Sequence, residues 1–277
     1  MTKNNNISTI EIKSLTRDYG NGRGVFDVSF NVKKGEVFGF LGPNGAGKTT
    51  TIRHLMGFLK AQSGECRIGG LDCWSSSAKI QNILGYVPGE ISFFDDMTGE
   101  AYLRFVKNYR GIKDTERKDE LLEYFELDTR GKIKKMSKGT KQKLGLVAAM
   151  MHDPEILIFD EPTSGLDPLM QSRFIELVAK EKELGKTILL SSHMFEEVER
   201  TCDRIGIIRE GRLVALDFVE DLRKRHVNTY TVTLGSAKEA EAFAKDFRGE
   251  VSGCNVTVSA KQSLEEIFMN YYGGTND

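Results

Sequence analysis

A short glycine-rich segment constrains the fold of this 277-residue chain more than any other feature. Residues 42–49 read Gly-Pro-Asn-Gly-Ala-Gly-Lys-Thr and fit the pattern G-x-x-x-x-G-K-[ST]. The apolar run Val37–Leu41 precedes the motif, and Thr50 to Leu59 follows it with apolar residues at helical spacing. A strand, a glycine turn and a helix in this order direct backbone N–H groups and a helix N-terminus at one anion. We therefore expect a phosphate-binding loop.

The side chains of this motif indicate a nucleoside triphosphate with Mg²⁺. Lys48 is expected to neutralise the β- and γ-phosphates, and the Thr49 hydroxyl to bind the metal ion. The expected nucleotide contacts are consecutive in the chain: Gly42, Pro43, Asn44, Gly45, Ala46, Gly47, Lys48, Thr49 and Thr50.

Two adjacent carboxylates end a second apolar strand. Asp160 and Glu161 follow Ile156 to Phe159. Ligands of open parallel sheets bind at the carboxyl ends of the strands, so Asp160 is expected near Mg²⁺. Adjacent residues of an extended segment point apart, which leaves Glu161 free to polarise a water aimed at the γ-phosphorus.

The remaining patterns divide the chain into regions. Period-two alternation near Ile10 and Val28 predicts antiparallel strands half open to water. Residues 92–154 are mainly helical in pattern, and a hairpin is expected to turn at Glu210-Gly211-Arg212. The last sixty residues indicate a small β-α-β-α unit closed by a helix from Leu264 to Tyr272. This unit is interpreted either as a stabilising cap or as a dimer or partner surface.

Composition narrows the classes of function. Lys+Arg 39 against Asp+Glu 40 gives no basic excess for nucleic acid, and the basic stretch Arg130 to Lys143 is read as a solvated face. The longest nearly apolar stretch, Leu144 to Met151, is far shorter than the roughly 18 residues of a membrane span. The four cysteines form no CxxC pair and are interpreted as small, mostly buried hydrophobes.

Four further segments, together with the phosphate loop, resemble the ATPase subunits of ABC transporters. Tyr19 lies where that family has an adenine-stacking aromatic residue, and residues 136–144 resemble its signature segment, usually written L-S-G-G-Q. Ser164-Gly165-Leu166-Asp167 resembles the loop that communicates across the family's dimer, and Ser191-Ser192-His193 the switch-histidine segment. The resemblance covers about Ile7 to Asp217.

The resemblance implies an α/β P-loop NTPase of the ABC ATPase type. It has an antiparallel β subdomain, an inserted helical subdomain and a small α+β C-terminal extension. The expected ATPase domain is residues 1–217, with the core and β subdomain at about 1–91 and 155–217 and the helical subdomain at about 92–154. The extension is residues 218–277.

The resemblance also implies the activity and the partners. Two ATPase chains, identical or related, would bind two MgATP head to tail and drive a separate integral-membrane permease from the cytoplasmic face, with export favoured. Glu161 and His193 would be catalytic, and Ser137, Gly139 and Asp167 would act on the nucleotide of the other subunit. Ser137 stands just before a helix, where a hydroxyl and free N–H groups can bind an anion.

Some positions depart from the family pattern. Lys138 stands where the signature usually has glycine, and Thr140 where it usually has glutamine. Gly89 occupies a position normally held by a glutamine that senses Mg²⁺ and the membrane partner. Glu90 as a substitute sensor and Gly89 as a plain hinge both remain open.

Two other classes of function fit the sequence less well. A soluble ABC-type ATPase acting on ribosomes or DNA usually has two cassettes or a long coiled coil, and this chain has neither pattern. A GTPase would need an N-K-x-D segment, which the sequence lacks. A small-molecule kinase would not need a second phosphate-binding signature.

Overall fold

The computed structural model describes residues 8–94, 96–225 and 227–261 of the chain. The chain divides into two compact units, Met1–Leu216 and Asp217–Asp277. The closing helix expected from Leu264 to Tyr272 lies outside the described residues. The domain boundaries expected from the sequence stay a prediction.

Strands and helices alternate along most of the first unit. The strands are β1 Ser8–Gly20, β2 Arg23–Lys33, β3 Val37–Leu41, β4 Ser63–Ile68, β5 Leu71–Asp72, β6 Leu84–Val87, β7 Ile156–Asp160, β8 Thr187–Ser192, β9 Arg204–Arg209 and β10 Arg212–Phe218. The helices are α1 Lys48–Leu55, α2 Ser77–Ile83, α3 Gly99–Arg110, α4 Glu116–Tyr124, α5 Lys138–Met150, α6 Pro168–Glu183 and α7 Phe195–Thr201, with a short 3-10 helix at Ile133–Lys135.

A six-stranded sheet in the order β10-β9-β3-β8-β7-β6 forms the centre of this unit. Strands β9, β3, β8, β7 and β6 pair in parallel. Every residue of β3 and β7 is buried, as expected for strands covered on both faces. Leu41 is in register with Ser192, and Asp160 with Ser191. The carboxyl ends of β3, β8 and β7 therefore lie side by side.

A four-stranded antiparallel sheet in the order β2-β1-β4-β5 packs against this centre. The expected alternation is confirmed, because Ile10 and Ile12 are buried while Glu11 and Lys13 are not. Phe30 of β2 stacks on Phe38 of β3 with 4.9 Å between ring centroids. This contact joins the two sheets in one hydrophobic core.

Helices α3, α4 and α5 follow β6, as the sequence predicted for this region. The helix expected from Thr50 to Leu59 differs in its bounds: α1 begins at Lys48 and ends at Leu55. Gly57 has a left-handed backbone with φ 68°, and a Cβ there would lie 2.4 Å from the Cys73 carbonyl oxygen. The chain therefore turns before Leu59. Among the described helices, none is long and apolar enough to cross a membrane.

The second unit has a small core of its own. Its described elements are α8 Val219–Arg225, β11 Val227–Thr233, α9 Ala237–Phe247, β12 Glu250–Ser252 and β13 Asn255–Lys261. The strands form an antiparallel sheet in the order β11-β13-β12, and Ala240, Ala244 and Val256 form its buried cluster. The predicted strand-helix-strand order is confirmed; α8 and the short strand β12 were not foreseen.

Candidate nucleotide site

The glycine-rich loop connects the carboxyl end of β3 to α1, at the middle of the parallel sheet. Gly45 and Gly47 have positive φ angles of 82° and 112°, which side-chain-bearing residues rarely adopt. At Gly42 space is the constraint, since a Cβ would lie 2.5 Å from the Ile208 carbonyl oxygen. The loop can therefore curl around an anion in front of the α1 N-terminus, as the motif predicted.

Lys48 is held inside this loop. Its side chain is 4% exposed, and Nζ donates hydrogen bonds to the carbonyl oxygens of Gly42 at 2.6 Å and Pro43 at 3.1 Å. The same ammonium lies 3.1 Å from Oε1 of Glu161. The positive charge is thus fixed at the loop by neutral carbonyls and one carboxylate, ready for exchange to a phosphate oxygen.

Asp160 and Glu161 have different surroundings at the end of β7. Asp160 is fully buried and accepts a hydrogen bond from the Ser191 hydroxyl through Oδ1. Its other oxygen, Oδ2, has no hydrogen-bond partner among the described residues. Buried carboxylate oxygens are rarely left unpaired, so Oδ2 is a candidate ligand atom.

Glu161 lies between two cationic or potentially cationic side chains. Besides Lys48, it contacts His193, whose Nδ1 is 3.3 Å from Oε2. Glu161 has a left-handed backbone with φ 49°, a conformation that costs a non-glycine residue about 1 kcal/mol or more. Its N–H donates to the Ser191 carbonyl oxygen at 3.0 Å. The strained turn aims the carboxylate at the phosphate loop rather than into the sheet.

Lys48 and Glu161 line a cleft of about 450 Å³, whereas Asp160 and His193 are not among the described residues that line it. Residues on its walls that the sequence predicted are Tyr19, Asn44, Gly45, Gly47, Lys48, Thr49, Thr50 and Glu161. The Tyr19 ring is half-exposed, and the Arg17 guanidinium lies 5.4 Å from its centroid. The size suits a nucleotide, since ligand pockets commonly measure about 300–1,000 Å³.

Sequence reasoning missed part of the cleft wall. Arg23, Glu210 and Gly211 also line it. The β9–β10 turn reaches the loop because the Gly211 N–H donates to the Ala46 carbonyl oxygen at 2.9 Å. The sequence signalled the turn itself, but nothing in it indicated contact with a segment so distant in the chain.

Three of the other expected nucleotide contacts are not on the walls of this cleft. Ser137 caps α5, with Oγ accepting from the Thr140 N–H at 3.1 Å. Asp167 caps α6, with Oδ1 accepting from the Met170 N–H at 3.0 Å. Neither residue, nor Gly139, is among the described residues that line the cleft. Ser137 is exposed, as a surface offered to another chain would be.

The signature segment packs on the loop that follows Glu161. A Cβ at Gly139 would lie 2.7 Å from the Gly165 carbonyl oxygen. Lys138, the residue that departs from the family pattern, donates through Nζ to the Ser164 hydroxyl at 2.8 Å. The lysine at this position therefore ties the signature segment to the loop that follows Glu161.

Gly89 lies beside the buried aspartate. A Cβ at this position would be 3.4 Å from Asp160 Oδ2, which is ordinary contact distance. A side chain at residue 89 would therefore reach the unpaired oxygen, whereas the neighbouring Glu90 is exposed. The alternative roles of Gly89 and Glu90 stay predictions.

The chain is similar to known proteins in sequence and in fold. Residues 25–164 match the profile of the ABC transporter family. The chain is 38% identical over 254 residues to the linearmycin resistance ATP-binding protein LnrL of Bacillus subtilis (strain 168), covering 90% of this chain and 82% of LnrL. A solved ATP-binding subunit of an ABC transporter superposes with TM-score 0.72 and 32% identity, covering 79% of this chain and 93% of that one.

A dimeric structure is also similar to this chain. The bacterial ABC transporter cassette MJ0796 superposes with TM-score 0.67 and 25% identity, covering 76% of this chain and 98% of the cassette. The same cassette has been solved as a dimer after hydrolysis, bound to ADP and Pi, with the same similarity.

Proposed function

This chain belongs to the ATP-binding subunits of ABC transporters, and from that premise we propose how its residues bind and hydrolyse ATP and which partners it needs. The chain is the ATPase subunit of such a transporter. The observation that carries the residue roles is the position of Glu161, 3.1 Å from Lys48 and 3.3 Å from His193 at the phosphate loop.

We assign triphosphate binding to the phosphate loop and to the ammonium group of Lys48. The N–H groups of residues 42–49 and the α1 N-terminus attract the phosphate oxygens. Lys48 exchanges its contact with Glu161 for the β- and γ-phosphates. This exchange releases the Glu161 carboxylate, which then accepts a proton from the water that attacks the γ-phosphorus as the bond to the departing ADP breaks. His193 contacts the γ-phosphate and helps to orient this water.

Mg²⁺ fits the residues present. The unpaired Oδ2 of buried Asp160 and the Thr49 hydroxyl are hard oxygen donors of the kind this ion prefers. Among the described residues, no three His, Cys, Asp or Glu side chains are grouped to hold a metal, so these two residues would hold the ion together with phosphate oxygens. Bound there, it would neutralise charge on the transferring phosphoryl group.

Two different chains form the binding site for the two ends of the nucleotide. Tyr19 stacks on the adenine from the cleft rim. A second ATPase chain, arranged head to tail, supplies its own Ser137, Gly139 and Asp167 to the γ-phosphate side. In support, these three residues are not among the described residues that line the chain's own cleft, and the similar cassette MJ0796 is a dimer.

The dimer drives a separate integral-membrane permease and acts at the cytoplasmic face of the membrane. Export is the proposed direction. The relative LnrL is named for resistance to linearmycin, and a transporter confers resistance most directly by moving a compound outward. No nucleic-acid partner is proposed, because the chain has no basic excess.

Steady-state ATP hydrolysis by three proteins tests the residue roles. The unaltered chain should release phosphate; Glu161→Gln should bind ATP but release phosphate at least about a hundredfold more slowly, as expected for loss of a general base. Lys48→Ala should weaken ATP binding. Near-normal turnover by Glu161→Gln, or unchanged ATP affinity of Lys48→Ala, would contradict the assignment.

A further inference from the structure

A second buried glutamate lies close to the proposed site, and the proposed mechanism does not use it. Glu197 is on α7, four residues after His193, and is 3% exposed. Its Oε2 accepts a hydrogen bond from the Ser192 hydroxyl at 2.5 Å, and its Oε1 has no hydrogen-bond partner among the described residues. Burying a carboxylate costs free energy, so we expect a buried glutamate at this position to have a specific role.

Ser192 connects this glutamate to the loop that carries His193. The Ser192 hydroxyl accepts from the Met194 N–H at 2.9 Å, on the far side of His193. The Ser192 carbonyl oxygen accepts from the N–H of Gly42, the first residue of the phosphate loop, at 3.2 Å. One serine thus bonds to α7, to the backbone after His193 and to the phosphate loop.

The His193 side chain is half-exposed and faces Glu161, with Nδ1 3.3 Å from Oε2. The position of the imidazole is therefore set mainly by the backbone of residues 192–194. Glu197 fixes that backbone through the Ser192 hydroxyl, since breaking this buried hydrogen bond would leave a buried polar group unpaired.

We propose that Glu197 is a positioning residue for ATP hydrolysis, which holds His193 at the γ-phosphate side of the cleft through Ser192. The inference rests on the proposed function of His193 and Glu161. In this proposal Glu197 does not contact the nucleotide. Removing the Glu197 carboxyl group should therefore slow ATP turnover and leave nucleotide binding almost unchanged. A misplacement of about 1 Å in a catalytic group can cost about a hundredfold in rate.

The test compares Glu197→Ala, Glu197→Gln and Glu196→Ala. Glu196 is the neighbouring residue on the same helix, with a side chain 78% exposed, and serves as the matched control. Glu197→Ala is expected to lower kcat by about tenfold or more, with KM for ATP and Kd for ADP within about twofold of the unaltered chain. Glu197→Gln should recover most of kcat, because an amide oxygen still accepts the Ser192 hydroxyl. Glu196→Ala should match the unaltered chain.

Several outcomes overturn the inference. Unchanged kcat in Glu197→Ala would do so, as would a loss of kcat accompanied by an equal loss of ADP affinity, which a general structural role predicts. If Glu197→Ala does not fold, Ser192→Ala removes the same link from the other side; it should lower kcat alone, and normal turnover in it refutes the proposal. Absence of hydrolysis by the unaltered chain would instead contradict the proposed function.

Discussion

The contact between Lys48 and Glu161 predicts that removing the carboxylate charge tightens ADP binding. Lys48 Nζ lies 3.1 Å from Glu161 Oε1, so the ammonium has to leave this partner before it reaches a β-phosphate. An ion pair with one partly exposed member is worth about 1 kcal/mol, which corresponds to about fivefold in a dissociation constant. Isothermal titration calorimetry should therefore find Kd for ADP about fivefold lower in Glu161→Gln.

ADP is the appropriate ligand because it lacks the γ-phosphate, so closure of an ATP-bound dimer does not contribute to the measured affinity. Glu210→Gln is the matched control: it removes one negative charge from the rim of the same cleft, where its side chain is 81% exposed. Its effect should stay below about twofold, since exposed charges interact weakly. Unchanged or weaker ADP binding in Glu161→Gln would refute the reasoning.

Three further perturbations have defined outcomes. Tyr19→Ala should weaken binding of a fluorescent ATP analogue by about tenfold, as loss of one aromatic stack does, and Tyr19→Phe should not; equal losses would exclude stacking. Gly139→Ala places a Cβ 2.7 Å from the Gly165 carbonyl oxygen, so ATP turnover should fall while ADP binding persists, and normal turnover would contradict this packing. Burial, assisted by the charge of Glu161, raises the pKa of Glu197 to about 7 from 4.5, against the hydrogen bonds of Ser192 and Thr163, which lower it. The contribution of this carboxyl group to the free energy of unfolding is then fully present below pH 4.5, and it is lost as the pH rises through about 7. In urea unfolding, the free energy of unfolding of Glu197→Gln relative to that of the unaltered chain should therefore rise by up to about 3 kcal/mol between about pH 5 and pH 8. A difference that stays constant over this range would disprove the shift in the pKa of Glu197.

The sequence predicted those parts of the site that are formed by residues consecutive in the chain. Residues 42–49 and the strand that ends at Asp160 carry their own local signals: glycine, apolar runs and a helix start. The rule that parallel strands align their carboxyl ends then brings these segments together. The register of Asp160 with Ser191, and of Leu41 with Ser192, confirms that alignment.

The parts that sequence could not predict depend on packing between distant segments. Glu196 and Glu197 are the same residue type side by side, yet one is 78% exposed and the other 3%. Helix α1 stops at Leu55 because Gly57 must pass close to the Cys73 carbonyl oxygen. Gly211 reaches the phosphate loop through a hydrogen bond to Ala46. No pattern in the local sequence indicates any of these features.

The central claim is that one chain holds only part of each ATP site and a second chain completes it. Light scattering of Glu161→Gln with saturating MgATP tests this most directly, because slow hydrolysis keeps the triphosphate bound. The account predicts the mass of two chains with ATP and of one chain with ADP. A mass of one chain at saturating ATP would contradict it.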